Sequence, residues 1–188
     1  NLIDGLDGLC AGLAFIATLT FFAVALMQGN VPLEYATLPF AGALLGFLCY
    51  NLNPATMFLG DSGALLIGFL LGCYGITAMQ ELPTLPGLVV PLLVLSVPLT
   101  DVLLSIVRRF LKSRPIFEAD RGHLHHRLLD QGLSPRRAVF VLYLVAAIGA
   151  AFAILINVPS TVLKIVCIIA ICLSAWVGIQ RLRYAEFE

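Results

Sequence analysis

Charged residues are scarce in this sequence. They make up 12% of its 188 residues, against about a quarter in soluble domains. With 60% of residues hydrophobic and a mean hydropathy of +1.00, a water-soluble core cannot absorb so much apolar surface. Cysteine pairs with metal-binding spacing are missing too. Cys10, Cys49, Cys73, Cys167 and Cys172 lie inside apolar runs, with no Cys-x-x-Cys, which excludes a cysteine zinc site and a disulfide scaffold. They read as small buried hydrophobes. An initial Met is absent, and Asn1-to-Leu9 carries neither a charged leader nor a cleavage site, so the chain reads as a segment beginning within a longer protein. The 11 basic and 11 acidic residues cancel, and their placement carries more information than their sum.

Long apolar runs are what the sequence has in quantity. A span needs roughly 20 mostly apolar residues, and six such stretches follow one another near 8–28, 36–52, 62–80, 86–107, 137–156 and 160–180. The expected fold is therefore all-α: a polytopic helical bundle in the lipid bilayer, forming a single transmembrane domain over 1–188. Gly29-to-Pro32, Glu81-to-Thr84 and Asn157-to-Ser160 are short links on one side. The chain start, the Asn53-to-Gly63 link, the polar loop at about 108–136 and the Arg181-to-Glu188 tail share the other. Alternating the spans places Arg108, Arg109, Lys112, Arg114, Arg121, Arg127, Arg136, Arg137, Arg181 and Arg183 on that second side and leaves only Lys164 elsewhere. The positive-inside rule makes this the cytoplasmic face.

Local signals refine the reading. Ser134-Pro135 has the form of an N-cap followed by proline at the first helical position, and Arg114-Pro115 disfavours helix at residue 114. Between them, His123-to-Leu129 is expected to form a short surface helix. Pro91 and Pro98 predict kinks in the fourth span, and Asp101 places an ionisable group at membrane depth, where such groups are costly and usually functional.

Three polar clusters fall on the cytoplasmic side. In Asn1, Asp4, Gly5, Asp7 and Gly8, the two carboxylates point the same way if the segment is helical; a solvated helix start is the plainer alternative. Asn51-to-Gly63 is more polar than a link requires. Asp61 at its end suits a hard cation such as Mg²⁺, which takes one or two carboxylates plus phosphate and water oxygens, although a simple capping role also fits. Asp120-Arg121-Gly122-His123-Leu124-His125-His126-Arg127 offers cations for a multiply charged phosphate or for anionic headgroups. Zinc fits this cluster poorly, because positions 123, 125 and 126 face different sides of a helix.

Together, Asn1-to-Leu9, Asn51-to-Gly63 and Pro115-to-Leu129 resemble the polyprenyl-phosphate N-acetylhexosamine-1-phosphate transferases, integral membrane enzymes of bacterial cell-envelope synthesis. The resemblance implies Mg²⁺-dependent (alternatively Mn²⁺-dependent) transfer of a sugar 1-phosphate from a UDP-sugar to undecaprenyl phosphate, releasing UMP, at the cytoplasmic face of the inner membrane. It implies Asp61 as metal ligand and Asp4 as part of the catalytic acidic cluster. Gly5, Leu6, Asp7 and Asn51 are implied as the uridine pocket, with Phe58 stacking on the base. Asn1 is implied at the same substrate site, and Arg121, His123, His125 and His126 as diphosphate or sugar contacts. Arg-Gly-His-Leu-His-His-Arg is more similar to the N-acetylglucosamine branch than to the phospho-N-acetylmuramoyl-pentapeptide branch. The family's upstream Asp-Asp motif has no counterpart here, so the segment alone is expected to be inactive. A homodimer is an expected partner state, and nucleic acid is not an expected partner. From a different class, a transporter remains the alternative, although its site belongs near the midplane rather than at one surface.

Overall fold

The computed structural model describes residues 2–80, 84–111 and 123–158, and the described chain is all-helical. Its elements are α1 (Leu9–Gln28), α2 (Val31–Asn51), α3 (Gly60–Gln80), α4 (Thr84–Val94), α5 (Ser96–Leu111), α6 (Leu124–Asp130) and α7 (Pro135–Asn157). Helices α1, α2, α3 and α7 are each long and apolar enough to cross a membrane, and α4 with α5 makes a fifth crossing if the pair counts as one bent span. The protein is a polytopic membrane protein. Its expected sixth span, near 160–180, lies outside the described residues, as do Asn1, Arg121 and the basic tail.

Helix α1 is the hub. Two-thirds of its apolar window (67%) is buried inside the bundle, against 28% for α2, 33% for α3 and 39% for α7, whose remaining surface faces outward. Small residues make this central place available, since Ala11, Ala14, Ala17 and Ala25 let neighbouring backbones approach closely. Around them Phe21, Val24, Leu33, Leu44, Ile67, Leu71, Val90 and Ala153 close the core. Large apolar side chains such as Leu45, Phe69, Ile76 and Ile148 are left exposed on the outside, as a lipid-facing surface requires.

Two boundaries differ from expectation, each for a local reason. Helix α2 starts at Val31, five residues early. Gly29 closes α1 in the left-handed conformation, the Asn30 side chain accepts the Leu33 N–H at 3.1 Å, and Pro32 occupies the first turn, so the link shrinks to two residues. The fourth span is not one kinked helix. It breaks at Leu95 with an 81° bend. Pro98 has no N–H for the Val94 carbonyl and its ring would collide with that group, which ends α4 there. Helix α7 passes close to the break at Gly149, where a Cβ would lie 2.6 Å from the Leu93 carbonyl oxygen. The expected surface helix is present as α6, and Ser134 with Pro135 opens α7 as read.

Candidate active site

Residues 2–8 do not continue α1. Gly8 takes a left-handed φ of +79°, helix begins only at Leu9, and the preceding residues form turns. Asp4 and Asp7 therefore do not share a helix face, contrary to the helical expectation. Asp7 turns toward the α2–α3 link, where its Oδ2 accepts the Asn53 side-chain N–H at 3.0 Å and the Ala55 backbone N–H at 3.1 Å. Asp4 is half-buried, and burial raises its carboxyl above the usual range. The Asp61 carboxylate, exposed in the first turn of α3, pushes it in the same direction. Two acids from separate segments thus stand near enough to repel each other, and a divalent cation held between them would relieve that repulsion.

Asn51 joins the first cluster to the second. Buried at the end of α2, it accepts the Gly8 N–H through Oδ1 at 3.1 Å and donates through Nδ2 to the Met57 carbonyl at 2.8 Å. With both ends of the amide engaged, it shapes the site through two backbones. Asp4, Gly5, Leu6, Asp7, Asn51, Phe58 and Leu59 surround a cavity of about 210 Å³, and the Phe58 ring beside it is largely exposed. The residues inferred for a nucleotide pocket are thus brought around one space.

Helix α6 attaches the third cluster. Asp101, 2% exposed on α5, accepts the Leu124 N–H at 2.7 Å and lies 2.9 Å from His123 Nδ1. His125, also 2% exposed, packs against Gly5, where a Cβ would sit 2.3 Å from its Nε2. The rings gather despite their spacing, because His123 precedes the helix as its N-cap instead of lying on it. Centroids are 5.8 Å apart for His123 and His125, and 4.3 Å for His125 and His126. Among the described residues, no three His, Cys, Asp or Glu side chains are disposed to hold a metal ion. The pairing of Asp101 with His123 joins two residues that the sequence reading weighed separately; a carboxylate inside an apolar span needs a partner, and that need was the available signal.

Among the described residues, the Nδ1 of His125 is buried with no hydrogen-bond partner. Such an atom is costly to bury unless something satisfies it. Two predictions follow from this position. Gly5→Ala is expected to displace the ring, cost about 1–3 kcal/mol of stability and lower the thermal unfolding midpoint; an unchanged midpoint would mean that the ring does not rest on Gly5.

The second concerns pH. Burial holds the His125 imidazole below its ordinary range and His126 pushes the same way, while Asp101 pulls against them. An unfolded chain, with histidine near 6.5, takes up the proton first as pH falls. The stability contributed by neutral His125 is therefore present above about pH 6.5 and is lost as pH falls from there toward the lowered folded value. The unfolding midpoint in detergent should drop between about pH 7.5 and about pH 5.5, with a flatter slope in His125→Gln.

Comparison with known proteins agrees with the constellation. Residues 1–79 match the family described as Glycosyl transferase family 4. The chain belongs to that family. Relatives include a Bacillus subtilis protein described as "Probable undecaprenyl-phosphate N-acetylglucosaminyl 1-phosphate transferase", 41% identical over 157 residues, covering 84% of this chain and 44% of the relative. A Mycobacterium tuberculosis decaprenyl-phosphate N-acetylglucosaminephosphotransferase is 40% identical over 183 residues, 86% of this chain and 45% of the relative. A Rubrobacter xylanophilus phospho-N-acetylmuramoyl-pentapeptide-transferase is 36% identical over 158 residues, 82% of this chain and 45% of the relative. The chain thus spans a little under half the length of these family members.

Proposed function

We propose that the protein containing this chain transfers N-acetylglucosamine 1-phosphate from UDP-N-acetylglucosamine to a polyprenyl phosphate such as undecaprenyl phosphate, releasing UMP, at the cytoplasmic face of a bacterial inner membrane. One observation carries the reading. Consecutive residues line two unlike cavities: Asp4 lines the polar one, and Ile3 lines an apolar one of about 240 Å³ set among α1, α3 and the α4–α5 bend, with Leu13, Ile67, Leu71 and Pro98 around it. A charged, water-soluble donor suits the first and a long hydrocarbon tail suits the second. Relatives described as N-acetylglucosamine transferases, at 41% and 40% identity, are compatible with this sugar, and muramoyl-pentapeptide relatives at 36% and 38% keep the second donor in the test below. The polar groups lie at one end of the bundle rather than at its middle, which disfavours a transport pathway.

In this reading an oxygen of the lipid phosphate attacks the phosphorus next to the sugar. The bond from that phosphorus to the UMP oxygen breaks, and the products are a lipid-linked diphosphate sugar and UMP. Such a transfer depends on positioning and charge neutralisation more than on covalent help. Mg²⁺ (or Mn²⁺), held by Asp61 with Asp4 beside it, would supply neutralisation of the diphosphate oxygens. Phe58 offers a ring for the uracil. The backbone of Gly5 and Leu6, with Asp7 and Asn51 fixing the loop behind it, walls the nucleotide site. His125 and His126 offer imidazole nitrogens to diphosphate or sugar oxygens, and His123 anchors them through Asp101.

The test is UMP release by the full-length protein in detergent, with Mg²⁺, UDP-N-acetylglucosamine and undecaprenyl phosphate. Release that requires the lipid is expected. Release only with UDP-N-acetylmuramoyl-pentapeptide would keep the reaction and overturn the sugar, and silence with both donors would overturn the reaction.

A further inference from the structure

Gly8 is held at every polar atom it has. Its N–H goes to Asn51 Oδ1 at 3.1 Å, and its carbonyl accepts both the Gly12 N–H at 2.9 Å, the opening bond of α1, and the hydroxyl of Tyr143 from α7. The Tyr143 hydroxyl reaches that carbonyl by crossing α1 where there is no side chain. A Cβ on Gly12 would stand 1.8 Å from it and 2.1 Å from the ring carbon bearing it. A Cβ on Gly8 itself would meet Leu52 at 3.0 Å and the same hydroxyl at 3.4 Å. The left-handed φ of +79° at Gly8 separates the turn carrying Asp4, Gly5, Leu6 and Asp7 from the helix that follows. Whatever fixes this peptide therefore fixes the direction in which that turn leaves the bundle.

Helix α7 grips the turn a second time, two turns earlier on the same face. Arg136 Nε donates to Asn53 Oδ1 at 3.0 Å, and Asn53 donates in turn to Asp7. Asp7, Asn53, Arg136 and Tyr143 all line one further cavity of about 360 Å³ behind the turn. Asp7 lines this cavity as well as the nucleotide cavity, so the α7 contacts reach the donor-site turn itself.

We propose that Tyr143 is a positioning residue for the nucleotide-sugar: by holding the Gly8 carbonyl through the gap left by Gly12, it sets the turn that walls the donor site. This rests on the transferase reading above. Tyr143 touches no reacting atom and acts only through Gly8.

Two measurements on the full-length protein test it. Tyr143→Phe removes one oxygen and keeps the ring, so the fold should persist. With loss of one hydrogen bond to a shared carbonyl, the KM for UDP-N-acetylglucosamine should rise about 3- to 10-fold, while the KM for undecaprenyl phosphate changes less than about twofold. Amide hydrogen exchange should quicken in residues 2–12 and stay unchanged in α3. Gly12→Ala should shift the same KM, and its combination with Tyr143→Phe should do no more than the stronger single change, because both act on one contact. A merely structural tyrosine would lower the folded yield and leave both KM values alone. That result, equal rises in both KM values, or unchanged exchange in residues 2–12, overturns the assignment. A wild type that releases no UMP while Tyr143→Phe still quickens exchange overturns the transferase reading, and with it the donor-site role, but leaves the hold on Gly8 as a measured fact.

Discussion

Asp61→Asn in the full-length protein is expected to cut lipid-dependent UMP release by about 100-fold or more, without a matching loss of folded protein. The asymmetry follows from where the residue sits. Asp61 is exposed in the first turn of α3, just after Gly60 in the left-handed conformation, so no buried partner is orphaned when its charge goes. What the fold loses is a favourable charge at a helix start, worth roughly 0.3–1 kcal/mol. What the proposed reaction would lose is the group assigned to hold a cation against a diphosphate, where charge develops in the transition state. Asparagine keeps the shape and one oxygen but not the charge. UMP release at saturating donor, with the unfolding midpoint measured on the same preparation, separates the two effects. Activity within tenfold of wild type would overturn the proposed role of Asp61 as a metal ligand.

Asp101→Ala should act in the opposite order, on the structure first. The carboxylate is buried and bonds the Leu124 N–H and the His123 ring across 22 residues or more of chain. Deleting it leaves both groups without an acceptor away from water, at a cost of about 2–4 kcal/mol. Helix α6 then loses its tie to α5, and His125, on that short helix, is no longer pressed against Gly5. UMP release should fall at least about tenfold together with the unfolding midpoint, whereas Asp101→Asn, which keeps an oxygen for Leu124, should be milder on both. If Asp101→Ala left the midpoint untouched, the anchoring of α6 would have to be sought elsewhere.

How far the sequence alone reaches is best seen by comparing these residues. The apolar runs of α1, α2, α3 and α7 were legible because a span must be long and dry, and Ser134-Pro135 marked the start of α7 because helix ends have side-chain rules. Asp61 and His125 stood out as polar groups where apolar ones were expected, and Gly5 through the carboxylates on either side of it. The break at Leu95 was only half legible. Pro98 announced a fault in the helix, but the size of the bend also depends on how α7 passes at Gly149, a contact between residues more than fifty apart. The divergence of Asp4 and Asp7 was hidden because Gly8 permits the left-handed turn without requiring it. Tyr143 was invisible in principle: its partner is a backbone carbonyl 135 residues away, and its path lies over a glycine that reads as an ordinary small residue in a span.

Ile3 and Asp4 are consecutive, yet the first lines the apolar cavity and the second the polar one. The change from apolar to polar lining therefore falls between two consecutive residues. Under the proposed function, a lipid-borne acceptor and a water-soluble donor would each keep to its own solvent on either side of that boundary, and neither would have to be extracted before the two are joined.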